Sequence, residues 1–252
     1  MPFTRISLDV AGPVAIVTLV GSEAGNHVDE LMAAELREAL TELDDDRSVR
    51  AMVLTGNGPD FCRGSVLESR PSGEQIASHA VASVVAAVGK ATVAAIEGDA
   101  LGQGLELALA CDLRIAGATA RFGLTQPDAA GIPWDGGTQR LPRLIGRSRA
   151  LEMALLARKV DAQEAVAIGL IAEVTEPGQA LPHAIKAGEV IATHGPVAVR
   201  YLKEAVYKGA DLALDQAMRL EVDLATLLHS TTDRAEGLSA FAEKRKPEFL
   251  GE

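Results

Sequence analysis

The chain has 252 residues, 48% hydrophobic and 23% charged, with a formal net charge of -11 and only 3% aromatic residues. That length suits one large domain or a domain with a helical appendage, with ample material for a core. The acidic balance lacks the basic stripe of a nucleic-acid binder, and the few aromatics argue against a base-stacking platform or aromatic cage.

In chain order, the start, MPFTRISLDV, lacks the pattern of a signal peptide. Val14 to Val20 and Arg50 to Gly56 read as strands, with a helix near Asp29 to Leu43 between them. A glycine-containing turn follows, GNGPDFCRGSVLES, in which Gly64-Ser65 either presents a free amide or forms a plain surface turn. Glu74 to Val88, carrying His79, has the helical spacing of small apolar residues. Thr92 to Gly98 is a short apolar run that reads as a buried strand. GQGLELALACD then reads as a helix and LRIAG as another strand. This alternation predicts an α/β fold with parallel pairing and helical crossovers.

Further on, GIPWDGGTQRL places Trp134 and Asp135 between two glycine turns. Asp135 is either a cap for a helix starting near Gly136 or a reacting carboxylate. Beyond about Arg147 the pattern turns helical to the end, so residues 1–190 are expected to form the α/β core and 191–252 a helical region. Lys244-Arg245-Lys246 is the one dense basic run, a solvated helix end or a phosphate contact. Cys62 and Cys111 have neither metal-ligand nor disulfide-framework spacing, so no metal is expected. No apolar run reaches about 18 residues, which predicts no membrane span, and a cytoplasmic location is the simplest reading.

The segment EGDALGQGLELALACD carries the most chemistry. Gly102 and Gly104 flank Gln103 where a helix begins, and the first amides of a helix have no internal acceptor. With the helix dipole they can stabilise a developing oxyanion. Glu106 lies about one turn along the same face in an otherwise apolar helix. Burial would raise its pKa toward a value suited to proton transfer, whereas an exposed Glu106 would simply complement the dipole. A dinucleotide fingerprint fits less well, because Leu107 stands where the third glycine belongs.

Taken together, LTGNGPDFCRGSVL, KATVAAIEGDALGQGLELALACDLRIAG, RFGLTQPDAAGIPWDGGTQRLPRLIGRSRALEMAL and FAEKRKPEF resemble the crotonase family of enoyl-CoA hydratases and isomerases, in order and over nearly the whole chain. The resemblance implies a spiral of ββα units with a C-terminal helical region that forms trimers, commonly paired into hexamers. It implies an acyl-CoA thioester as substrate, with coenzyme A carried in that thioester and no further cofactor. It maps the oxyanion amides to Ser65 and Gln103 and the first catalytic carboxylate to Glu106.

The chain departs from the family pattern in several places. Alignment on Phe122-Gly123 puts Gln126 where hydratases carry a second glutamate, and an amide cannot take a proton as a carboxylate does. Asp135 stands where hydratases have a small residue and is the candidate second polar group. Trp134 is a wall of the acyl pocket or part of a trimer interface. His79 matches a water-activating histidine of related dehalogenases, or is structural. Val66 and Glu68 replace the acidic and basic residues that many relatives have after the Ser65 turn. Arg63, His27 and Lys244 remain candidate substrate contacts, the last across a subunit boundary.

Three functions follow from this reading. The first is an acyl-CoA hydratase, dehydratase or double-bond isomerase acting through a thioester enolate, led by Glu106. The second is a hydrolase of the same fold, led by Asp135 and His79. The third is a non-catalytic acyl-CoA-binding member.

Overall fold

The computed structural model describes residues 3–21, 24–67 and 70–252. Val14–Leu19 (β2) is apolar along nearly its whole length, as expected of a strand covered on both faces. It pairs antiparallel with Ile6–Ala11 (β1). This edge strand escapes the sequence reading because Ser7 and Asp9 dilute its apolar pattern. Helix α1, Glu30–Asp45, starts where the Asp29 side chain accepts the Met32 amide and crosses to Ala51–Gly56 (β3).

From β2 onward one unit repeats: a strand in the large sheet, an extended segment in a second layer, then a helix. Val28 takes the second-layer place before α1, pairing with Ser65. Cys62 takes it after β3, pairing with Ala100, and precedes Gly73–His79 (α2) and Ala82–Ala87 (α3). In the third unit Ala91–Ile96 (β4) leads to Asp99–Leu101 (β5) and Gln103–Ala110 (α4). In the fourth, Leu113–Gly117 (β6) leads to Arg121–Gly123 (β7) and Gly137–Ile145 (α5). This is the crotonase-like spiral that the resemblance implies.

Helix α6, Arg147–Leu155, follows; Val160–Asp161 (β8) joins the small sheet, and after Ala162–Ala167 (α7) comes Glu173–Thr175 (β9). The large sheet runs β1-β2-β3-β4-β6-β9, parallel from β2 onward, and the small sheet β5-β7-β8. Ala180–Ala192 (α8) covers one face of the large sheet, packing Ala180 and Ala184 on Val14, Val53, Val93 and Ile115. The other face meets the main core, including Met32, Leu36, Met52, Leu54, Leu105 and Leu107.

The helix expected over Glu74–Val88 is broken in two. Its apolar spacing is continuous, but Arg37 draws off the carbonyls of Ala77, Ser78 and Ala80, and the Asp135 carboxylate takes the amides of Val81 and Ala82. Distant polar partners override a local pattern here.

Past the sheet, Pro196–Gly209 (α9), Leu214–Leu228 (α10) and Thr232–Glu243 (α11) form the C-terminal helical part. Leu202, Val206, Leu214, Met218, Val222 and Phe241 stand exposed on it. The tail folds back: Asp233 accepts the amides of Leu250 and Gly251, and Arg50 donates to the Phe249 carbonyl. Because Arg50 precedes β3, the tail is anchored at the end of that strand away from the Gly64 turn.

Candidate active site

Two loops leave the C-terminal ends of β3 and β4 and are stitched together by backbone bonds. Phe61 N–H donates to Glu97, Cys62 N–H to Asp99 and Leu101 N–H to Cys62, at 2.8, 3.0 and 2.9 Å. Two glycines permit this closeness. Gly102, at φ 55° and ψ -124°, occupies a region that side chains avoid, and a Cβ on Gly104 would lie 2.0 Å from the Cys62 carbonyl oxygen. Gly64 and Gly102 abut, since a Cβ on Gly102 would be 3.6 Å from Gly64 Cα. The next residues are Ser65 and Gln103, and neither main-chain amide donates to a partner among the described residues.

Helix α4 carries Glu106 inward, where it is fully buried. Its Oε1 accepts the amides of Asp135 and Gly137, both at 2.8 Å, and its Oε2 accepts Gln126 Nε2 at 2.9 Å. Burial pushes its carboxyl up to about 7; the Gly137 and Asp135 amides and the Arg140 charge oppose this, while the Asp135 charge adds to it. Gln126 opens a 3-10 turn, Gln126–Ala129, after β7, and its own Oε1 is buried without a partner among the described residues.

Asp135 is buried, but it does not cap α5, whose N-cap is Gly136 with no side-chain bond. The capping expectation is corrected on this point. Its Oδ2 instead accepts the amides of Val81 and Ala82 and Gln103 Nε2, at 2.9, 3.0 and 2.9 Å. Gln103 Nε2 also donates to the His79 carbonyl at 2.7 Å. His79 thus meets the site through its main chain, while its buried imidazole places Nδ1 2.8 Å from the Gln75 carbonyl, which only a protonated Nδ1 can satisfy.

Gln103, Glu106, Gln126, Asp135 and the His79 backbone therefore form one hydrogen-bonded set, and Ser65 follows the Gly64 that abuts Gly102 beside it. Trp134 is half-buried between the buried Pro133 and Asp135. His27 lies against the backbone of Gly25 and Gly64, with Nδ1 buried and unpartnered among the described residues. Arg63 is exposed and paired with Asp99, which also holds Arg121. Lys244 is the exposed left-handed cap of α11, in the tail anchored by Arg50, while Arg245 is paired with Glu236 and Glu243. Glu68 lies outside the described residues.

The sequence reading missed Val81, Ala82, Gly137 and Arg140. Arg140 donates to the Asp135 carbonyl at 2.9 Å, and the only trace of Gly137 and Arg140 was their place in the quoted GGTQR run. Among the described residues no group of three or more His, Cys, Asp or Glu side chains is placed to hold a metal. None of the described helices is long and apolar enough to cross a membrane.

A family model described as enoyl-CoA hydratase/isomerase matches residues 9–252. The chain belongs to the enoyl-CoA hydratase/isomerase family. Among the relatives of this family enzyme, the (E)-benzylidenesuccinyl-CoA hydratase of Thauera aromatica is 37% identical over 259 aligned positions, covering 98% of this chain and 99% of that one. The crotonyl-CoA hydratase of Syntrophomonas wolfei is 35% identical over 260 positions, covering 99% of each. The crystal structure of an enoyl-CoA hydratase from Bacillus anthracis superposes with a TM-score of 0.94 at 38% identity, over 99% of this chain and all of that one.

Proposed function

We propose that this family enzyme adds water to, or shifts, the double bond of an enoyl thioester of coenzyme A, with Glu106 as its acid-base. The observation that carries the reading is a fully buried carboxyl raised to about 7, held by two main-chain amides beside a glycine-flanked helix start. The Ser65 and Gln103 amides would receive the thioester oxygen as it gains charge, a role worth about 10²–10³-fold per donor. In hydration, Glu106 takes a proton from water as the oxygen bonds to C3 and delivers that proton to C2 as the enolate collapses. In isomerisation of a 3-enoyl thioester the same carboxylate removes a proton from C2 and returns one to C4, which moves the double bond next to the carbonyl.

Gln126 holds Glu106 Oε2 and offers its free carbonyl to a water hydrogen, but it transfers no proton. Asp135 serves as the second polar group. Trp134, His79, His27 and Arg63 border the substrate, and the scheme draws on no cofactor besides the coenzyme A of the thioester. The exposed apolar residues of α9–α11 support assembly of the 191–252 region into trimers or pairs of trimers, which would let Lys244 meet a neighbour's substrate. A cytoplasmic location fits this reading. The hydrolase alternative has less support, because Asp135 Oδ2 already has three donors and His79 Nδ1 is engaged by Gln75.

Both reactions start from ionised Glu106, which fixes the sign of the pH dependence. Initial rates with crotonyl-CoA and but-3-enoyl-CoA are expected to rise with pH through about 7 and then level off. Turnover of neither thioester, or a rate that falls across that window, would overturn the reading.

A further inference from the structure

We infer that Asp135 is a positioning residue: its carboxylate locks the Gln103 side chain, and with it the first turn of α4, while its main-chain N–H aims Glu106. The inference deepens the reading above and rests on it.

Three N–H donors from two separate segments converge on one oxygen, Asp135 Oδ2: the adjacent amides of Val81 and Ala82, and the Gln103 side chain. A carboxylate buried without a cation on it persists only when such donors compensate its lost hydration. The nearest arginine of the segment, Arg140, spends its guanidinium on the Asp135 carbonyl. The Gln103 amide has only one possible orientation, because both its partners, the His79 carbonyl and Asp135 Oδ2, can only accept. Gln103 is also the residue whose main-chain N–H starts the helix at the glycine turn. One residue thus governs the oxyanion donor through its side chain and the acid-base through its backbone, where Asp135 N–H meets Glu106 Oε1 at 2.8 Å. The Asp135 carboxylate transfers no proton in this role.

The test compares the full-length wild type with D135A, D135N, Q103A, D135A/Q103A and E106Q. It uses crotonyl-CoA turnover and the ultraviolet enolate band of bound acetoacetyl-CoA, which reads the oxyanion donors even where turnover is slow. D135A is expected to lower kcat about 10–100-fold with KM within about threefold, and to weaken the enolate band. D135A/Q103A is expected to fall no more than about twofold below D135A, because the two side chains act as one unit. D135N keeps an accepting oxygen and should keep the enolate band.

D135N also removes the negative charge facing Glu106, leaving Arg140 from α5 as the remaining charged neighbour and Gln126 neutral. Its pH limb should therefore move below that of the wild type. A merely structural Asp135 would lower thermal stability and leave the enolate band in place. Additive losses in D135A and Q103A, or a D135A enolate band as strong as that of the wild type, would overturn the inference. If D135A does not fold, the Q103A enolate band decides, and a band of wild-type strength there overturns the inference. Retained turnover in E106Q defeats the acid-base reading itself; an inactive E106Q beside a D135A of wild-type rate and enolate band defeats only the positioning role.

Discussion

Glu106→Gln is expected to lower turnover of an enoyl thioester by about 10²–10⁴-fold while making the protein more stable above neutral pH. The kinetic loss follows because the amide cannot accept the proton, and binding is expected to stay within a few-fold because shape and most hydrogen bonds survive. The glutamine oxygen still accepts the Asp135 and Gly137 amides, and its NH₂ meets a Gln126 that can turn over to present its unpartnered Oε1.

The stability gain follows from linkage. Between the ordinary carboxyl value of 4.5 and about 7, the folded chain keeps a proton on Glu106 that the unfolded chain has released. Wild-type stability therefore falls as pH rises through that window, and the glutamine variant lacks this slope. The difference should be near zero below pH ~4.5 and on the order of 1–3 kcal/mol by pH ~8. Thermal melts at several pH values check it. An E106Q protein less stable than wild type at the alkaline end would contradict the buried, charge-opposed setting of Glu106.

Gly104→Ala is expected to destabilise the fold and cut activity together. On an open helix the same change would stabilise by about 1 kcal/mol, because alanine is the better helix former. Here the new methyl would sit 2.0 Å from the Cys62 carbonyl oxygen and 2.6 Å from its carbon, which are backbone atoms with no rotamer to yield. That carbonyl also accepts the Leu101 amide that stitches the two turns. Relief of the clash must push α4 away from the Cys62–Ser65 turn and spread the Gln103 and Ser65 amides. Overpacking of this kind costs about 1–3 kcal/mol or more, a drop in melting temperature of roughly 2–12 °C at this size. An activity loss of about 10²-fold should accompany it. A G104A protein with wild-type melting and rate would refute the close stitching.

What was legible in the sequence was whatever depends on near neighbours. β2, β3 and β4 are apolar apart from one threonine each and β6 apart from Arg114, Asp29 announces α1, and the glycines flanking Gln103 mark the start of α4. The short second-layer strands escaped notice, because β5 and β7 span three residues each and hold their conformation through pairing rather than pattern. The break between α2 and α3 escaped for a related reason. Its causes, Asp135 and Arg37, lie 40 or more positions along the chain from the α2–α3 groups they bind.

The site divides in the same way. Glu106 and the glycine turns were readable because their chemistry is local to one helix start. Asp135 was noticed as an unusual carboxylate, but which of its neighbours would occupy it depends on how three loops meet. Gln126 was singled out by alignment, and the fold adds that it rests directly on Glu106.

The central claim is that Glu106 manages the proton at C2 of a coenzyme A thioester. It is tested most directly by running crotonyl-CoA turnover in D₂O and following C2 by NMR. The account predicts deuterium at C2 with the wild type and none above background with E106Q. Deuterium entering C2 at the same rate in both proteins would contradict it.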